Sequence, residues 1–180
     1  MVGPVAAVTD TSTITGNITP YISLEVTTDT IAGWAFVTGV NTNTTDVRLQ
    51  LVCNYPQWTI TAADALNTDG NAKPSESRGK MAQSDVDGHY VISDPHFYLH
   101  NNLGITGQSV SNQYTAAGGS RLLTDDGSPL QIYTGENHPS GTGTFSNMRS
   151  DISQEIVVAD SVLPADNLYK IIVTFTALVP

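Results

Sequence analysis

Positive charge is almost missing from this chain. Its 180 residues hold three lysines (Lys73, Lys80, Lys170) and four arginines against 17 acidic residues, giving a net charge of −10 and a pI near 4.4. Phosphate backbones are gripped by clustered Lys and Arg, so this balance argues against nucleic acid as a partner. It equally disfavours attachment to anionic membrane surfaces. Cysteine is reduced to Cys53, which excludes an intrachain disulfide and leaves the compartment undecided. No apolar run approaches the roughly 20 residues of a membrane-spanning helix. Nucleophile signatures are missing too: there is no Gly-x-Ser-x-Gly, and the four glutamates (Glu25, Glu76, Glu136, Glu155) stand in no motif. The sequence therefore points away from an enzyme. Helical periodicity is confined to Thr61–Leu66, about one and a half turns.

What the chain has is threonine, 23 of them, and alternation. Threonine's branched Cβ suits a pleated surface, so even the polar positions favour strands. Residues 46–54 place Val47, Leu49, Leu51 and Cys53 on one face. Residues 21–28 place Ile22, Leu24 and Val26 on one face. The C-terminal run from Tyr169 to Pro180 alternates Tyr169, Ile171, Val173, Phe175, Ala177 and Val179 with a mixed face that includes Leu178. Strands are also predicted over 11–18, 31–38 (Trp34 and Phe36 sharing a face), 57–61, two within 89–103 split at Asp94-Pro95, and 129–133. A further one over 152–159 is expected to pair with the C-terminal run. Residues 62–88 read as a long polar excursion, 104–120 as a loop with partial strand character, and 134–143 as turns. About ten short strands with long polar loops predict an all-β fold, a β-sandwich or jelly roll. Residues 1–7 read as a signal-peptide remnant or N-terminal arm, with Val5 and Ala7 at the small-residue positions of a cleavage site before Val8. Residues 8–180 then form a single β-sandwich domain.

The sequence of strands Val47–Cys53, Trp58-Thr59-Ile60-Thr61, Gly127-Ser128-Pro129-Leu130, Gln154-Glu155-Ile156-Val157 and Tyr169-Lys170-Ile171-Ile172-Val173-Thr174-Phe175-Thr176-Ala177 resembles secreted archaeal β-sandwich surface proteins. These are sheath-type and filament-type subunits, as in methanogens. The resemblance covers about a third of the chain. It implies an extracellular, cell-surface structural role and carries over no catalytic residue.

Several residues are candidates for specific chemistry. Asp85 and Asp87 before Gly88, with Asp94 nearby, offer hard oxygen ligands of the kind calcium takes, although the spacing is not that of an EF-hand. The plainer reading is an Asp-Gly turn leading into Tyr90, and no other cofactor is expected. Asp125-Asp126-Gly127 is a weaker version of the same pattern. His89, His96 and His100 lack the neighbouring Cys or Glu that would complete a zinc shell, so packed or solvent-edge histidines are the simpler reading. Cys53 lies on an apolar face and reads as a small hydrophobe. Trp58, after Pro56, is the more exposed of the two tryptophans and a candidate sugar-stacking ring; Trp34 reads as core. Asn17 and Asn43 head acceptor sequons for glycosylation.

An apolar strand at each end of the chain points to self-association. Unpaired edge strands recruit partner strands through main-chain hydrogen bonds. The expectation is an extracellular structural subunit forming a filament, sheath or surface layer as a homopolymer. Val5, Val8, Ile171, Val173, Phe175 and Leu178 would carry the contacts. A viral capsid or tail protein and a carbohydrate-binding module are the alternatives.

Overall fold

The computed structural model describes residues 15–17, 19, 21–28, 30–66, 72–135 and 143–180. Among these, twelve strands appear in chain order: β1 (Ile22–Thr28), β2 (Gly39–Asn43), β3 (Arg48–Cys53), β4 (Thr59–Asp64), β5 (Ala82–Ser84), β6 (Gly104–Gly107), β7 (Thr115–Ala116), β8 (Arg121–Leu122), β9 (Leu130–Thr134), β10 (Gly143–Ile156), β11 (Leu168–Lys170) and β12 (Val173–Leu178). One turn of 3-10 helix, Ser75–Ser77, is the helical element among the described residues. The fold is all-β and sandwich-like, every ladder antiparallel.

The larger sheet runs β1-β3-β10-β6-β8, with β2 also paired to β10. The second runs β12-β4-β9-β7, and β11 pairs with β5 in a small third sheet. The core lies between the two large sheets. Leu49, Leu51, Ile105 and Met148 come from one, and Trp58, Ile60, Ala62 and Ile132 from the strands and approaches of the other. Trp58 and Phe145 meet across the layers with ring centroids 5.3 Å apart, and Tyr114 stands edge-on to both Phe145 and Tyr133. Tyr133 straps the layers together: its hydroxyl donates to the Arg149 carbonyl on β10. Within the second sheet one close approach requires glycine: Gly135 donates its N–H to the Trp58 carbonyl, continuing the β4–β9 ladder, and a Cβ there would overlap the Trp58 indole.

The strands over 21–28, 46–54 and 129–133 form as the alternation predicts, with Val47, Leu49, Leu51 and Cys53 at 9% exposure or below. Other segments differ. Thr61–Leu66 is no helix, because β4 continues through Asp64 and alternates buried Ile60, Ala62 and Asp64 with half-buried Thr59, Thr61 and Ala63. Residues 31–38 form no strand, although Trp34 and Phe36 do pack together at 4.9 Å. Between 89 and 103 the pairing is limited to isolated bridges of Tyr90 to Ser84 and Tyr98 to Ala82. Residues 104–120 contain β6 and β7, with Ile105 fully buried.

The excursion at 62–88 is partly core. Met81, Ala82, Gln83 and Ser84 are buried, as are Ser77 and Lys73. Asp64 folds the segment back by accepting the Gly79 N–H at 2.8 Å and the Lys73 ammonium at 2.6 Å. The C-terminal run is two strands, not one. β11 belongs to the small sheet and β12 to the four-stranded one, with Ile171 and Ile172 making the crossing. The predicted pairing of 152–159 with 168–179 is therefore absent. The first of these segments is the end of β10, which pairs there with β2 and β6, while β12 pairs with β4. Val158 lies beyond β10 and is 91% exposed. The strand over 11–18 falls mainly outside the described residues; 15–17 carry no strand. The 134–143 turns also fall largely outside them.

Candidate functional site: two strand edges on one side of the sandwich

β12 ends one sheet and β1 ends the other. In an antiparallel ladder, successive residues alternately turn their N–H and C=O toward the partner strand and away from it. The Ala65 N–H donates to the Ile172 carbonyl at 2.8 Å, which fixes the phase of the β12–β4 ladder. Residues 174, 176 and 178 therefore bond to β4. Val173, Phe175 and Ala177 turn their backbone groups to the outer edge. The Asn54 N–H donates to the Tyr21 carbonyl at 3.1 Å, so residues 23 and 25 of β1 bond to β3, while Ile22, Leu24 and Val26 face outward in the same way. Among the described residues, neither outer row meets a ladder partner. The same six residues turn their side chains to the core cluster, so each is anchored by its side chain and open along its backbone.

The two edges lie on one side of the molecule, with some Cα atoms of β1 and β12 within 8 Å of each other and no ladder between them. Neither edge carries strong protection against addition. β12 has no charged residue, no proline and no register shift; its outer face is Thr174, Thr176 and Leu178, the last 53% exposed. β1 carries one charge, Glu25, and a register shift confined to its end between Val26 and Thr28. Natural edge strands are commonly blunted by inward charges, lysine, proline or bulges. At the far end of β12, Leu178, Val179 and Pro180 border a shallow recess with Trp58 and Thr134.

Of the residues assigned to assembly from sequence, Val173 and Phe175 lie in the outward row, Leu178 on the exposed face, and Ile171 half-buried in the crossing from β11. Val5 and Val8 lie outside the described residues. Sequence reasoning missed the β1 row of Ile22, Leu24 and Val26. Its alternation was visible, but alternation gives a strand its faces and says nothing of its place in the sheet.

The acidic candidates are occupied locally. Asp85 Oδ1 accepts the N–H groups of Asp87 (3.1 Å) and His89 (2.8 Å), capping the turn at Gly88. Asp94 sits 3.0 Å from His96 Nδ1, and Asp126 caps its own turn through the Ser128 N–H. Asp85, Asp87 and Asp94 do not converge: among the described residues, no group of three or more His, Cys, Asp or Glu has metal-binding geometry. The histidines disperse as well. His96 Nε2 lies 2.6 Å from Glu76, whose carboxyl is held below its usual range by its own backbone N–H and by His96. His100 Nδ1 lies 2.7 Å from Asp160. Burial pulls the Asp160 carboxyl upward, but the Val157 N–H and the His100 ring and backbone outweigh it and leave it depressed.

Trp58 is 1% exposed, packed on Phe145 across the layers and against Gly135 beside it in its own sheet, so this ring offers no stacking surface. Asn17 is exposed, whereas Asn43 is half-buried. Its Nδ2 donates to Asp46 at 2.6 Å and its Oδ1 accepts the N–H groups of Thr45 and Asp46. Cys53 is buried at 2% exposure. Among the described residues no helix is long and apolar enough to cross a membrane.

Comparison with protein-family models, with characterised proteins and with solved structures finds no match to this chain.

Proposed function

We propose that this protein is an extracellular structural subunit that self-assembles by β-strand addition into a filament, sheath or surface layer, the role implied by its resemblance to archaeal surface proteins. The observation that carries this reading is the pair of edges, β12 and β1, each presenting on the same side of the sandwich a row of backbone donors and acceptors with no ladder partner among the described residues. A strand from a second copy laid along that side gains main-chain hydrogen bonds without repacking either core face. When such contacts are head-to-tail and their rotation does not close a ring, they propagate. The uncharged Thr174 and Thr176 face of β12 places no like charges directly opposite one another at the contact itself.

The test is negative-stain electron microscopy at neutral pH on two proline variants. Ala177→Pro removes an outward N–H and leaves the β4 ladder intact, so it should give a folded protein that no longer polymerises. Thr176→Pro removes a donor bonded to Thr61 and should instead destabilise the fold, by at least about 1–3 kcal/mol in chemical denaturation. Dispersed monomers of the unaltered protein under all conditions would overturn the reading. So would normal polymers of Ala177→Pro.

A further inference from the structure

Lys73 and Asp64 meet with neither side chain exposing any surface. Ammonium and carboxylate both lose their hydration there, and an ion pair recovers that loss only when every remaining donor and acceptor is satisfied. This pair falls short. Asp64 Oδ2 accepts from Lys73 Nζ at 2.6 Å and from the Gly79 N–H at 2.8 Å, while Oδ1 is buried with no hydrogen-bond partner among the described residues. Lys73 Nζ donates also to the Lys80 carbonyl, and the Tyr90 ring lies 5.7 Å from it. Burial drives the Lys73 amine below its usual range against the opposing pull of Asp64, which raises the share of neutral, nucleophilic amine.

We infer that Lys73 and Asp64 condense into an isopeptide bond, an internal covalent clasp between the end of β4 and the segment leading to β5. Each polar contact has a part in that step. The Gly79 N–H holds Oδ2 and stabilises the negative charge that develops on it as Nζ adds to Cγ. The Lys80 carbonyl holds one N–H of the amine and orients it. Oδ1, without a partner among the described residues, is the leaving oxygen. The Nζ–Cγ bond forms and the Cγ–Oδ1 bond breaks. Two of the three ammonium protons leave with Oδ1 as water, and the third stays on the amide nitrogen. No oxidant, reductant or outside proton is needed. The product is a neutral amide in place of two buried charges and an unpaired oxygen.

Mass spectrometry of the native protein decides the matter. The intact mass should fall one water below that of the sequence. Trypsin does not cut between Lys73 and Pro74, so residues 49–78 leave as one peptide holding both partners. That peptide should carry the loss and yield no fragment ions from breaks between residues 64 and 73. A succinimide at Asp69-Gly70 would lose the same water but would still fragment between 64 and 69, and this outcome overturns the proposal. An unmodified mass for the folded protein overturns it as well. Asp64→Asn supplies an independent reading, because condensation through an amide releases ammonia and the loss should change accordingly. Lys73→Arg should restore the full mass.

Discussion

Asp160 holds two loops together with one side chain. One oxygen accepts the Val157 N–H at 2.8 Å, and the other accepts the His100 backbone N–H at 2.9 Å and its Nδ1 at 2.7 Å. All three bonds favour the ionised carboxylate, so its folded pKa lies below the unfolded value of about 3.9. A depressed carboxyl gives stability that is fully present above the unfolded pKa and is lost as pH falls through the folded one. Urea titrations below about pH 5 should therefore show an acid limb that Asp160→Asn flattens. At neutral pH, Asp160→Ala should cost about 1–3 kcal/mol, since two backbone donors lose their acceptor; an unchanged midpoint would contradict this account. Gly135 makes a steric case at the same scale. Gly135→Ala pushes a methyl into the Trp58 ring and should destabilise by about 1–3 kcal/mol in the same assay. Some of these residues were legible in the sequence and some were not. Cys53 reads correctly as a buried hydrophobe because its neighbours alternate. Trp58 does not, because nothing local to Gln57-Trp58-Thr59 reveals that Gly135 and Phe145 will close over it.

At the level of elements, alternation is a faithful guide only while a strand keeps one register. β3 has no register shift against β1 until its first residue, and its buried set is the one the pattern gives. β10, the longest strand, was legible only from residue 152. A register shift falls between Phe145 and Met148, where Asn147 takes a positive φ of 65°. The shift moves the main buried set from odd to even positions, Phe145 before it and Met148, Ser150, Ile152 and Gln154 after it, with Asp151 buried as well. A reader applying one period across 143–156 finds no face. The end of the chain fails in the opposite way. Tyr169, Ile171, Val173, Phe175, Ala177 and Val179 all pack on the core, so the pattern runs unbroken through a crossing from one sheet to another and conceals it. The edge position of β12, on which the proposed assembly rests, is a property of sheet order. Residues 130–134 make it as much as residues 173–178 do, by pairing with the other side of β4.

For the whole molecule, a charge of −10 on 180 residues opposes the approach of identical copies. If strands add as proposed, that repulsion sets the rate. Raising salt to about 0.1 M shortens the screening length to about 10 Å, and light scattering should report faster polymer growth with little change in the melting temperature. Growth that slows with added salt would mean that attraction between charged groups drives association instead.

The central strand has a consequence of another kind. β10 is flanked on one side by β3 and then β2, and on the other by β6, so that Ile152 lies between Asn43 and Ile105. Fraying at either rim of the sheet leaves this middle stretch shielded from solvent. Its amides should be the last to take up deuterium, on the timescale of complete unfolding, while those of β8 at the sheet margin exchange through small local openings.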